Sequence, residues 1–126
     1  MSDDSTTISE LREIIRQFVD ERDWRQFHAP KNVAMALAVE AAELMEHFQW
    51  LGVDASRELA ADPAKLAAIA EELADVIGYG LALANELNLD VSDAIRAKMV
   101  KNAQKYPADE FRGRYGREDK GRFTQR

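Results

Sequence analysis

What most restricts the folds open to this chain is a pair of long apolar stretches, each carrying two acids three residues apart. Glu40 and Glu43 lie in VEAAELMEHFQW (residues 39–50), and Glu72 and Asp75 in ELADVIGYG (residues 72–80). A spacing of three puts both carboxylates of a pair on one side of an α-helix, one turn apart. The apolar residues repeat at helical pitch as well. Val33, Leu37, Ala41, Leu44, Phe48 and Leu51 form one stripe over residues 30–51, and Leu66, Ile69, Leu73, Ile77, Ala84 and Leu87 another over residues 63–87. Glu40 falls at the edge of the first stripe, where an acid is costly unless it is paired, protonated or metal-bound. One Glu-x-x-Glu alone reads as a solvated helix face. Two such pairs in apolar helices can bring four carboxylates to one place, and four carboxylates can hold a hard cation through oxygen ligands.

The rest of the chain is helical in pattern. Thr7 and Glu10 make a capping box ahead of a helix over residues 8–22, with Ile8, Leu11, Ile14, Ile15, Phe18 and Val19 as its apolar positions. Residues 23–31 break the period, and their Trp24, Phe27 and His28 either plug the end of the core or form a ligand-contact loop. Pro30 suits the first turn of the next helix, and Gly52 ends it. Residues 53–61 read as a connection with room for one helical turn. Asp62 and Pro63 restart a helix. On it, Glu72, Asp75 and Tyr79 share a stripe, while Ala67, Ala74, Gly78 and Ala82 make a small-residue face that another helix can approach closely. Asp90 or Ser92 caps a last helix that reaches residue 105 and buries Val91, Ala94, Ile95 and Met99. Lys98, Asn102, Lys105 and Tyr106 fall near one of its faces, which alone reads as solvent-facing. The pattern predicts an all-α bundle of four helices, with a disordered segment over residues 1–6, one domain over 7–107 and a basic flexible tail over 108–126.

Composition removes several alternatives. There is no Cys, hence no disulfide framework and no thiolate metal site, and two His do not make a His-rich zinc centre. A net charge of -6 argues against nonspecific nucleic-acid binding. No apolar run reaches membrane-spanning length and residues 1–7 carry no signal pattern, so the expected location is the cytoplasm. Di-iron bundles use Glu-x-x-His, which this chain lacks; an all-oxygen donor set favours Mg²⁺ or Mn²⁺. His47, on the flank of Glu40 and Glu43, reads as a histidine behind a ligand or on the surface, and not as a ligand. Such a site can neutralise the oxygens of a triphosphate.

Glu40-x-x-Glu43 followed by Glu72-x-x-Asp75 resembles the metal signature of the all-α nucleoside triphosphate pyrophosphohydrolases, the MazG-like group. The flanks, RDWRQFH (residues 22–28), Phe48-Gln49-Trp50, Lys98-Met99 with Asn102, and Tyr106-Pro107, resemble its dCTP-cleaving branch. The likeness covers residues 8–107. It implies hydrolysis of dCTP to dCMP and pyrophosphate, with Glu40, Glu43, Glu72 and Asp75 as magnesium ligands and Glu43 a candidate base. It further implies that Trp24, Gln26, Phe27, His28, Trp50 and Tyr79 surround the nucleoside, and that Lys98, Asn102, Lys105 and Tyr106 reach the phosphates. A homodimer, or a homotetramer of paired dimers, is implied too. Ile15 departs from vertebrate members of that branch, which carry a histidine there near the nucleotide, so one substrate contact that bears on base selectivity is replaced. The alternatives are the same chemistry on dUTP or another non-standard nucleotide, or a helical oligomerisation module without turnover.

Overall fold

The computed structural model describes residues 2–116, and among them there are helices and turns but no strand. One compact unit ends at Leu89 and a second begins at Asp90.

The first unit contains α1 (Ile8–Glu21), α2 (Pro30–Glu46), α3 (Val53–Glu58) and α4 (Pro63–Leu87), with 3₁₀ turns at Arg25–Phe27 and Leu59–Ala61. α1 starts on the predicted capping box: Glu10 N donates to Thr7 Oγ1 at 3.1 Å and Thr7 N donates to Glu10 Oε2 at 2.6 Å. It ends in a tight reversal. Asp23 takes the left-handed conformation (φ 52°), which Asp tolerates better than most residues, and Trp24 N donates back to Val19 O at 3.0 Å. The reversal folds Trp24 edge-on against Phe18, ring centres 5.7 Å apart. α4 begins as expected, on the Asp62 side chain accepting from Lys65 N with Pro63 in the first turn, and ends on left-handed Asn88.

α4 is the spine of this unit and packs on α2 and on α1. The contact with α1 passes close to Gly78, where an added Cβ would sit 4.0 Å from Ile15 Cδ1; the small-residue face therefore admits α1. A polar clasp fixes the same pair further along. Arg12 donates to Asn85 Oδ1 (2.8 Å), Leu89 O (2.6 Å) and Ala84 O (3.2 Å), and Asn85 Nδ2 donates to Arg12 O (3.1 Å). The guanidinium thus adds a charged donor to Ala84 O, which already accepts from Leu89 N, and meets the negative end of the α4 dipole.

Four expectations need correction. The second helix stops at Glu46 and does not reach residue 51. Its bonding tightens, with Phe48 N on Met45 O and Leu51 N on Phe48 O, and the faster rotation of such turns leaves Phe48 half-buried and Trp50 exposed. Residues 53–61 are helical almost throughout, as α3 plus a 3₁₀ turn, because Leu59 finds a buried position. On α4 the residues facing inward are Leu81, Ala82 and Ala84, whereas Leu66, Leu73, Ile77 and Leu87 of the predicted core stripe are exposed, since α1 and α2 cover only part of the helix surface.

The second unit contains α5 (Val91–Lys105), capped by Asp90, and α6 (Ala108–Phe111). The fourth correction falls here. No residue of α5 is buried: Ile95 and Met99 are exposed and Val91 is intermediate, so the apolar positions of this helix find no complete cover. After Pro107 the chain forms the one-turn α6, and Phe111 meets Tyr106 edge-on at 5.2 Å. At the other terminus, residues 2–5 form a hydrogen-bonded turn, with Ser5 N on Ser2 O at 3.1 Å. The remainder of the predicted tail, residues 117–126, lies outside the described residues.

Candidate functional site

Three of the four signature acids meet where α2 packs on α4. Carboxylate oxygens of Glu40, Glu43 and Glu72 lie within 4.8 Å of one another. Helical spacing puts Glu40 and Glu43 one turn apart, and the α2–α4 contact brings Glu72 across to them. Glu40 Oε2 and Glu72 Oε2 are buried, and neither has a hydrogen-bond partner. An unpartnered buried carboxylate oxygen is expensive, and it is rare unless a cation or proton belongs there. Electrostatics agree with this. Loss of hydration pushes the Glu40 carboxyl up to about 7, helped by hydrogen bonding to Glu43 and by the charges of Glu43, Asp75 and Glu72. Glu72 is raised as well, by loss of hydration first and then by the Glu43 charge. An all-carboxylate donor set with two uncommitted oxygens fits a hard divalent cation.

Asp75 is not part of this tight trio, though its charge is felt by Glu40 and Glu72. It lines a neighbouring cleft of about 170 Å³ between α1 and α4, together with Trp24, Tyr79, His28 and Phe18. The cleft has an apolar, aromatic lining with one carboxylate at its side, a composition suited to a flat ring attached to a charged group. Sequence reasoning placed Trp24, His28 and Tyr79 there. It gave Ile15, Phe18 and Val19 as apolar helix positions, with the resemblance putting the place of Ile15 near the nucleotide; Val19 is buried as a core residue, and all three border the cleft.

Three other residues assigned to the nucleoside do not line this cleft. Gln26 donates to Asp23 O and Asp23 Oδ2 within its own loop, Phe27 is 61% exposed, and Trp50 is 88% exposed. Lys98, Asn102 and Lys105 lie on α5, with Tyr106 at its C-cap, in the second unit. Lys105 Nζ stands 5.3 Å from the centre of the Tyr106 ring.

Fold and site together define an all-helical protein in which two packed helices converge carboxylates suited to a divalent cation beside an aromatic cleft. The model of the MazG-like family matches residues 35–116, which include all four signature acids, and the chain belongs to that family. It is similar to dCTP pyrophosphatase 1 of Mus musculus, 41% identical over 107 residues that make up 85% of this chain and 63% of the mouse protein. The human protein of the same name is 40% identical over 102 residues, 81% of this chain and 60% of the human one. The chain thus spans a little under two-thirds of the length of these relatives. Among solved structures it resembles a pyrophosphatase from Archaeoglobus fulgidus, with a TM-score of 0.73 and 37% identity, covering 85% of this chain and 98% of that one.

Proposed function

We propose that this chain hydrolyses a nucleoside triphosphate, dCTP foremost, to the monophosphate and pyrophosphate, as a cytoplasmic enzyme that removes nucleotides from the pool. The observation that carries the reading is the convergence of Glu40, Glu43 and Glu72 with two buried, unpartnered oxygens, next to an aromatic cleft that shares Asp75. In this reading the four acids hold Mg²⁺, for which Mn²⁺ can substitute. When bound, the cation neutralises phosphate oxygens and stabilises the charge that develops on them. The chain's own groups do the rest. Trp24 and Tyr79 stack the base and fix the α-phosphorus, Glu43 takes the proton of the attacking water, and Lys98, Asn102, Lys105 and Tyr106 bind the outer phosphates. The names of the relatives support the substrate.

The working assembly in this reading is a homodimer or homotetramer. Trp50, Phe27 and Gln26 would then complete the nucleoside site of a neighbouring copy, which accounts for two large aromatic side chains left in solvent.

Hydrolysis in heavy-oxygen water tests the reaction. Label is expected in the monophosphate, with pyrophosphate unlabelled. Orthophosphate as the first product, or label in pyrophosphate, would overturn it. Glu43→Gln and Asp75→Asn should remain folded and lose at least about a hundredfold in turnover; wild-type rates in both would remove these residues from the site.

A further inference from the structure

We propose that His28 selects the base: its ring fixes a hydrogen-bond acceptor at the polar edge of the nucleobase and so favours a 4-aminopyrimidine over a 4-oxopyrimidine. The proposal rests on the nucleotide reading above and adds the group that discriminates.

The tautomer follows from one contact. His28 Nδ1 lies 2.8 Å from the carbonyl oxygen of Trp24. A carbonyl only accepts, so Nδ1 carries the proton, and the neutral ring is left with a lone pair on Nε2. That carbonyl is itself held in place, because Phe27 N also donates to it at 2.9 Å and Trp24 N is tied to Val19 O. Among the described residues no group donates to Nε2.

The location follows from the clefts. His28 is half-buried, and with Ile15, Val19 and Ala82 it forms the wall shared by the aromatic cleft and a smaller one, of about 50 Å³, that contains Arg16 and Asn85. A ring stacked in the aromatic cleft presents only its edge to that wall. Of the four wall residues the imidazole alone is polar, while Asp75 and Tyr79 bring the other polar side chains that line the aromatic cleft. An exocyclic amino group donates to a lone pair. An oxo group brings a second lone pair, and accepting it would require a second proton on the ring or the loss of the Trp24 bond. A site with a fixed acceptor therefore distinguishes the two.

Two measurements on the full chain test this. The first is nitrogen NMR at about pH 8, above the ordinary imidazole titration range. The chain has two His, so the His28→Leu variant assigns the signals by difference. Nδ1 is expected protonated and Nε2 bare; the reverse tautomer overturns the proposal. The second is the affinity for dCMP and dUMP without metal, in wild type, His28→Leu and His28→Gln, with melts to verify folding. Wild type should bind the amino nucleotide about tenfold more tightly. His28→Leu should lose that preference by weakening dCMP. His28→Gln, whose amide both donates and accepts, should lose it by strengthening dUMP. No preference in wild type, or the same preference in both variants, overturns the role of His28. Pyrophosphate release from triphosphates with Mg²⁺ is read separately: its presence with an unchanged preference removes only His28, and its absence removes only the hydrolase reading.

Discussion

At the scale of single residues, Glu40 shows how this protein trades stability for a site. Its carboxyl titrates near 7 in the folded chain, against an ordinary value of 4.5, because a buried oxygen has lost its water and faces three other acids. Between those two values the folded chain binds the proton and the unfolded chain does not. Unfolding then releases a proton, and stability falls as pH rises. In a chelator, the melting temperature should therefore decline from about pH 4.5 to about pH 7 more steeply in wild type than in Glu40→Gln. Thermal melts across that range measure it, and parallel curves for the two proteins would show that Glu40 carries no such strain. Bound cation should reverse the difference, since it supplies the partner that the oxygens lack.

At the scale of elements, the pairing of α1 with α4 matters as much as that of α2 with α4. α2 and α4 supply the carboxylate trio, whereas α1 and α4 form the walls of the aromatic cleft. The Arg12–Asn85 clasp holds the second pair together at the C-terminal end of α4. Arg12→Met removes the charged donor from Asn85 Oδ1, Ala84 O and Leu89 O, a loss of about 2 kcal/mol by urea unfolding. Arg12→Lys should restore little of it, because an ammonium does not reproduce the fork that reaches three acceptors. The loss should also weaken nucleotide binding more than metal binding, because it loosens α1 and not α2. Stability within about 0.5 kcal/mol of wild type in Arg12→Met would mean that the clasp is decorative.

For the molecule as a whole, the apolar surface left in water is the main physical problem. Met35 and Val39 on α2, and Leu66, Leu73 and Ile77 on α4, are exposed, and each set falls at spacings that place it along one helix face. Isolated exposed leucines need no explanation, but whole apolar faces do. Sedimentation at micromolar concentration is expected to find a species at least twice the 14.2 kDa of the chain. A monomer alone would contradict the assembly proposed above and leave these faces without a reason.

The sequence by itself determined where the main helices start and how the signature acids are spaced on them. The capping box at Thr7 and the Asp62-Pro63 start are local hydrogen-bonding devices, complete within four residues, and stand where the pattern put them; of the two caps it offered for the last helix, Asp90 is the one used. The pairing of Glu40 with Glu43 was equally legible, because it depends only on helical pitch. What the tertiary structure decided is everything that depends on which face meets which. Leu73 and Ile77 have the spacing of core residues and are exposed, whereas Ile15, Phe18 and Val19 have the same spacing and line a cleft. Periodicity identifies an apolar face but not its partner, since burial is a property of two surfaces and the hydrophobic effect has no direction. The contact behind the proposed His28 tautomer is local by contrast, since the Trp24 carbonyl lies four residues back in the same turn; what the tertiary structure adds is the cleft beside the ring, where residues of α1 and α4 meet.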